Sequence, residues 1–147
     1  MIYNIFGQPE SGKTTLSIRL QLELKKIYGP NMYVFCIDGD DLREIIPNKN
    51  YTYAGRYDNI NRANTIATYL NHLGFEVIIS LVNPFEQLRR ELKSLNPKDV
   101  KEIYLHSDRT SKLEYHVKDF EIPKNPDLTL NTSNMTVNQC ISKILEL

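Results

Sequence analysis

The stretch Gly7-Gln8-Pro9-Glu10-Ser11-Gly12-Lys13-Thr14 assembles groups suited to one task, the holding of phosphate oxygens. It satisfies, at every constrained position, the pattern of glycine, any four residues, then Gly-Lys-Ser/Thr. Glycines let the main chain curl until several N–H groups face one concavity, and the positive end of a following helix adds to the field there. Lys13 is placed to reach the β- and γ-phosphates of a nucleotide, the Thr14 hydroxyl to help hold Mg²⁺, and Thr15 continues the same nucleotide-binding stretch. The bland alternative is a chance match to an ordinary turn. Against it stand the apolar run Ile2-Tyr3-Asn4-Ile5-Phe6 before the motif and the helical pattern from about Lys13 after it, the strand–loop–helix setting that the chemistry requires.

Further groups follow at the end of a second apolar run, Met32 to Ile37, which closes on Asp38-Gly39-Asp40-Asp41. A carboxylate at a strand's end, as Asp38 is, binds Mg²⁺ directly or through water, and its structural alternative is to cap the next turn. Asp40 is placed to take a proton from an acceptor hydroxyl, and Asp41 is the weaker candidate for either task. Arg56, Asn59 and Arg62 recur every three residues along one helix ridge, with Arg43 on the acidic loop. A solvated face explains that spacing equally well, but a guanidinium fork beside the acids matches phosphate or sulfate bidentately. Tyr51 and Tyr53 are candidates to stack on a base. His72, His106 and His116 show no metal-ligand spacing and read as surface or strand-end residues, and Arg89 and Arg90 as solvated helix residues.

These groups need elements to position them. Leu16, Leu20, Leu24 and Ile27 form one apolar stripe of a helix ending at Gly29-Pro30. Met32 to Ile37 reads as a strand buried on both faces, and Leu42 to Ile46 as a short helix cut by Pro47. A polar loop, Asn48 to Gly55, leads to a second striped helix, Tyr57 to Leu73, through Ile60, Ala63, Ala67 and Leu70. Phe75 to Val82 is the next buried strand, Asn83-Pro84 opens a helix to about Leu95 with Pro84 in its first turn, and Val100 to His106 is a fourth strand. Leu128-Thr129-Leu130 is a short fifth strand, and Thr136 to Gln139 has capping-box spacing before a last helix through Ile141, Ile144 and Leu145. Such alternation implies a parallel sheet covered on both faces, with ligands outside the strands' carboxyl ends. The loops after Phe6, Ile37, Val82 and His106 should therefore share one surface.

The 147 residues suit a single domain spanning 1–147. Lys plus Arg equals Asp plus Glu at 18 each, so no global field recruits nucleic acid or an anionic membrane, and anion binding must be local. With no secretion-signal pattern and no apolar run near ~20 residues, the expected compartment is the cytoplasm. Cys36 and Cys140 are then expected as separate buried thiols, and Asn131-Thr132-Ser133 and Asn134-Met135-Thr136 match a glycosylation pattern by coincidence.

In order along the chain, Gly7-x4-Gly12-Lys13-Thr14-Thr15, Asp38-Gly39-Asp40-Asp41-Leu42-Arg43, Arg56-x2-Asn59-Ile60-x-Arg62, Ser80-x2-Asn83-Pro84-Phe85 and Pro123-Lys124-Asn125-Pro126-Asp127-Leu128 resemble the adenylyl-sulfate kinases. That family transfers the γ-phosphoryl of ATP to the ribose 3′-hydroxyl of adenylyl sulfate, using Mg²⁺. The resemblance implies a three-layer α/β P-loop kinase fold, with about five parallel strands flanked by helices. It implies that Gly7 to Thr15 bind ATP, that Thr14 and Asp38 serve the metal, and that Lys13, Asp38 and Asp40 are catalytic. Asp40, Arg43, Tyr51, Arg56, Asn59 and Asn83 fall at acceptor-binding positions. The chain departs from the family at Asp41 (for Asn), Asn50-Tyr51 (for Gly-Phe) and Asn83 (for Ser). The family's lid is cut down to about Arg109 to Phe120, leaving Arg109 and Lys112 as lid cations. The expected partner is a small nucleotide, a homodimer is compatible with the sequence, and adenylyl sulfate is the first acceptor to try. A kinase for another nucleotide-linked substrate, such as a cytidine diphosphate conjugate, is the runner-up, and a nucleotide-binding regulator without turnover is the competing class.

Overall fold

The computed structural model describes residues 1–147. Strands β1 (Ile2–Phe6), β2 (Val34–Asp38), β3 (Glu76–Leu81), β4 (Val100–His106) and β5 (Leu128–Asn131) form one sheet in the order β2-β3-β1-β4-β5, every pair parallel. Helices α1 (Lys13–Tyr28), α2 (Gly39–Ile45), α3 (Tyr53–His72), α4 (Glu86–Leu95) and α5 (Val137–Leu145) cover it. Period-two alternation along the strands sends side chains to opposite faces. On one face Tyr3, Ile5, Ile78 and Ile103 pack against Leu16, Leu20 and Leu24 of α1 and Ile141 and Ile144 of α5. On the other, Ile2, Val77, Ile79 and Leu81 meet Ala63 and Ala67 of α3 and Leu92 of α4. The chain leaves β1 toward β2 on one side and later returns to its other side as β4, so the strand order reverses beside β1. A crevice opens at that point in open parallel sheets, outside the carboxyl ends.

Several expectations are corrected. β2 is an edge strand, so Phe35 is 37% exposed and Cys36 is exposed, because no further strand covers them; Cys140 is buried as expected. Ile27 lies beyond the sheet's reach, 59% exposed. α3 begins at Tyr53 rather than Tyr57. Asn50 shortens the loop there: its Oδ1 accepts from both the amide and the hydroxyl of Thr52, and Gly55 packs so closely on Asn50 that a Cβ would collide with it. α2 starts early, at Gly39, since the Asp38 carboxylate accepts the Asp40 amide at 3.0 Å and caps it. Pro84 precedes α4 instead of opening it, and the Glu121 carboxylate accepts the Glu86 amide at that helix's start. The capping box of α5 forms between Thr136 and Gln139.

Candidate active site

The phosphate loop takes its shape from close approaches that only small residues permit. At Gly7 an added Cβ would strike the Leu105 carbonyl of β4, and Gly12 adopts φ +90° at the start of α1. The loop is braced from the far side of the sheet, where the Thr132 hydroxyl, just past β5, donates to the Ser11 carbonyl at 2.9 Å. Within the curl, Lys13 Nζ donates to the Gln8 carbonyl at 2.7 Å and to Ser11 Oγ at 3.3 Å. Burial pushes its pKa down to about 8, against the upward pull of Asp38 and Asp40.

The acidic corner meets this loop directly. Thr14 Oγ1 donates to Asp38 Oδ2 at 3.0 Å, while Oδ1 of the same carboxylate holds the Asp40 amide. Asp38 thus performs the cap and faces the loop at once, one oxygen for each. Gly39 seats the corner against β3, since a Cβ there would overlap the Leu81 side chain. Asn59 Nδ2 donates to the Gly39 carbonyl at 3.2 Å and ties the corner to α3.

Loop and corner open on one cavity of about 1120 Å³, larger than the ordinary range for a single small ligand. Pro9, Glu10 and Gly12 to Thr15 line one side, and Asp38, Asp40, Arg43, Tyr51, Arg56 and Asn59 another. Ser80 to Val82 form the floor at the end of β3, and Arg109, Lys112, Glu114, Tyr115 and His116 the outer wall. Arg43 is already engaged: Nη1 donates to the carbonyls of Asn48 (2.8 Å) and Asn50 (3.0 Å), and its guanidinium lies 4.3 Å from the centre of the Tyr51 ring. Arg56 touches the Tyr51 carbonyl at 3.4 Å, and burial followed by the neighbouring Arg43 holds its pKa below the ordinary arginine value. Two cations thus lie beside each other without a carboxylate paired to either, an arrangement suited to an anion.

Other expected site residues lie elsewhere. Gly7, Gln8 and Ser11 shape the loop from beneath without lining the cavity. Asn83 is fully buried, does not line the cavity, and its side-chain amide has no hydrogen-bond partner. Arg62 does not line the cavity, Asp41 is exposed, and Tyr53 packs on Phe85 with ring centres 4.6 Å apart. Arg89 is no solvated residue: it is 2% exposed, lies over the Phe6 ring at 4.9 Å, and donates to the carbonyls of Asn83 and Glu121 at 2.7 Å each. Sequence reasoning missed Thr132, which matched only a coincidental glycosylation pattern, and Glu114, Tyr115 and His116, whose segment carries no periodic signal.

Comparison with known proteins agrees with this geometry. The family model for adenylylsulphate kinase matches residues 1–120. The adenylyl-sulfate kinase of Prochlorococcus marinus is 30% identical, the match covering 96% of this chain and 81% of that protein. The Clostridium kluyveri adenylyl-sulfate kinase is 29% identical over 95% of this chain and 79% of its own. Among solved structures, the Mycobacterium tuberculosis APS kinase CysC in complex with AMPPNP and APS superposes with a TM-score of 0.84, covering 99% of this chain and 95% of that one. At 20% identity that is a likeness of fold, the three-layer parallel sheet with its loop before α1. With the motif order, the sheet and the family match in agreement, this chain belongs to the adenylylsulphate kinase family.

Proposed function

We propose that the protein transfers the γ-phosphoryl of ATP to the 3′-hydroxyl of adenylyl sulfate, in the cytoplasm and in the service of sulfate assimilation. The observation that carries this reading is the junction of loop and acids: Thr14 on Asp38, Lys13 in the curl, and Asp40 on the same corner, lining one cavity together with Arg43 and Arg56. Family membership supports the reaction, and the fold-likeness to a protein solved with AMPPNP and APS supports two nucleotides in one cavity.

The residues fit Mg²⁺. A hydroxyl and a carboxylate, 3.0 Å apart, are hard oxygen donors, and the chain clusters no three metal-binding side chains. That suits a cation held by one or two protein oxygens and by substrate phosphates. When bound, Mg²⁺ neutralises charge on the β- and γ-phosphate oxygens. Everything else is done by groups of this chain. Main-chain N–H groups of the loop and Lys13 hold the triphosphate, and Arg43 and Arg56 hold the anionic end of the acceptor. Asp40 accepts the proton of the acceptor hydroxyl as its oxygen approaches the γ-phosphorus. In-line transfer asks the protein mainly for position and charge, which this cavity supplies.

Purified protein with Mg²⁺-ATP and a panel of nucleotide acceptors tests the reading. ADP release dependent on adenylyl sulfate is the expected result. Release dependent on a cytidine diphosphate conjugate would reassign the acceptor, and ATP binding without turnover would make the chain a regulator.

A further inference from the structure

The outer wall of the cavity is a strap, residues 107–120, whose regular structure is one 3-10 turn, Leu113–Tyr115. Its side chains Leu113 and Tyr115 are exposed, and its aromatic contact with the sheet comes only at its end, where the Phe120 and Tyr104 rings lie 6.0 Å apart. Its first residues are tied to the turn after β5, where Ser133 Oγ accepts the Asp108 amide at 2.9 Å, and the stretch around the 3-10 turn is held by the phosphate loop. The Gln8 side chain pairs with the main chain of Val117 in both directions: Nε2 donates to the Val117 carbonyl at 2.8 Å, and the Val117 amide donates to Oε1 at 2.9 Å. This is the reciprocal pattern of a strand pair, made by one side chain. Two residues along the loop, Glu10 holds the other side of the turn. Its carbonyl accepts from the Arg109 guanidinium at 2.9 Å and its carboxylate from the Ser111 hydroxyl. Glu10 adopts φ +62°, left-handed backbone that a glutamate rarely takes.

Between those two anchors lie Lys112, Glu114, Tyr115 and His116, all facing the cavity. Gln8 itself does not line it, and its carbonyl is the acceptor for Lys13. We propose that Gln8 is a positioning residue: its side-chain amide fixes the strap over the phosphates and keeps water from the γ-phosphorus. For transfer, the acceptor's hydroxyl oxygen bonds to that phosphorus while the bond to the β,γ-bridging oxygen breaks. With the strap loose, a water oxygen makes the same bond, the same bridging bond breaks, ADP and inorganic phosphate leave, and the proton passes to solvent. Closure over a phosphoryl group acts largely by removing this competitor.

The kinetic half of the proposal rests on the kinase reading; the structural half does not. Hydrogen exchange on the full chain, compared between wild type, Gln8→Leu and Gln8→Glu, reads the hold directly. Gln8→Leu should speed exchange across 109–118 about tenfold while β1 and α4 stay unchanged, as expected for the loss of two hydrogen bonds at one anchor. Gln8→Glu keeps an acceptor for the Val117 amide and should fall between. In the acceptor assay, wild type should release one ADP per phosphorylated acceptor and Gln8→Leu severalfold more. Unchanged strap exchange in Gln8→Leu overturns the hold, and faster exchange with strict one-to-one release overturns the exclusion of water. If wild type phosphorylates no acceptor, the kinase reading fails while the exchange result still decides the hold. Should Gln8→Leu not fold, Val117→Pro removes the amide donor without touching the loop, and the same two readouts decide.

Discussion

Lys13 is a cation held where charge is costly, with its ammonium turned onto the loop's own Gln8 carbonyl. Burial brings its pKa down to about 8, and an arriving triphosphate favours the charged form and raises it again. At about pH 6.5 the amine is protonated with and without ATP, so binding takes up no proton. Above about pH 8 the free protein's amine is neutral and the complex's is charged, so binding takes up to about one proton, and affinity falls as pH rises by up to roughly tenfold per unit. Calorimetry at about pH 8.5 in two buffers of different ionisation enthalpy measures that uptake; none at all would detach Lys13 from the triphosphate. Stability has its own sign. The folded pKa lies below the unfolded one, so the charged amine costs stability below about pH 8, and the cost fades as pH climbs toward about 10.5. Asp40 separates binding from chemistry. Asp40→Asn keeps the side chain's shape and its amide's bond to Asp38, and loses the base, so turnover should drop by about 10²–10⁴ with ATP affinity nearly unchanged. Turnover at the wild-type rate would remove Asp40 from that role.

At the scale of elements, α4 is fastened to the site by one buried side chain. Arg89 spans the loop after β3 and the chain leaving the strap, donating to the Asn83 and Glu121 carbonyls over the Phe6 ring. Arg89→Met should therefore destabilise by ~2–4 kcal/mol, because two carbonyls lose charged donors, with urea unfolding as the measurement. A loss within about 0.5 kcal/mol, typical of a surface substitution, would show that the strut carries no load. This residue marks where sequence reading stopped. Its place in the helical pattern from Asn83 to Leu95 looks like any exposed arginine, and its burial depends on Glu121, some thirty positions away in a segment without periodicity. Thr132 was illegible for the same reason: its partner, the Ser11 carbonyl, is brought near only by the β4–β5 pairing. The loop before α1, the acids ending β2 and the strands were legible because local pattern alone specifies them. The edge position of β2 was not, since strand order is a property of the assembled sheet, and Cys36 was misjudged with it. Asn83 sat at the expected place in the chain but turned into the protein, its carbonyl taken by Arg89.

Taken as a whole molecule, the cavity draws on loops from four strands at one end of a single sheet, so a ligand there bridges segments that the sheet and a few loop-to-loop hydrogen bonds, such as Thr14 to Asp38 and Gln8 to Val117, already hold together. Binding to the folded state alone must then stabilise the whole fold, by ~2.7 kcal/mol at about one hundred times Kd. For a chain of this size that raises Tm by roughly 5–10 °C. The two walls make the effect divisible. A non-hydrolysable ATP analogue with Mg²⁺ should lose its shift in Lys13→Ala and keep it in Arg56→Ala. Adenylyl sulfate should do the reverse, because Arg56 belongs to the opposite wall beside Arg43. Asp40→Asn should keep both shifts, since its defect lies in proton transfer. Thermal unfolding of the four proteins with each ligand gives the full matrix. A full ATP-analogue shift in Lys13→Ala would mean that the triphosphate lies outside the glycine-bounded loop. Loss of both shifts in Arg56→Ala would mean that the walls act as one site rather than as a donor and an acceptor side.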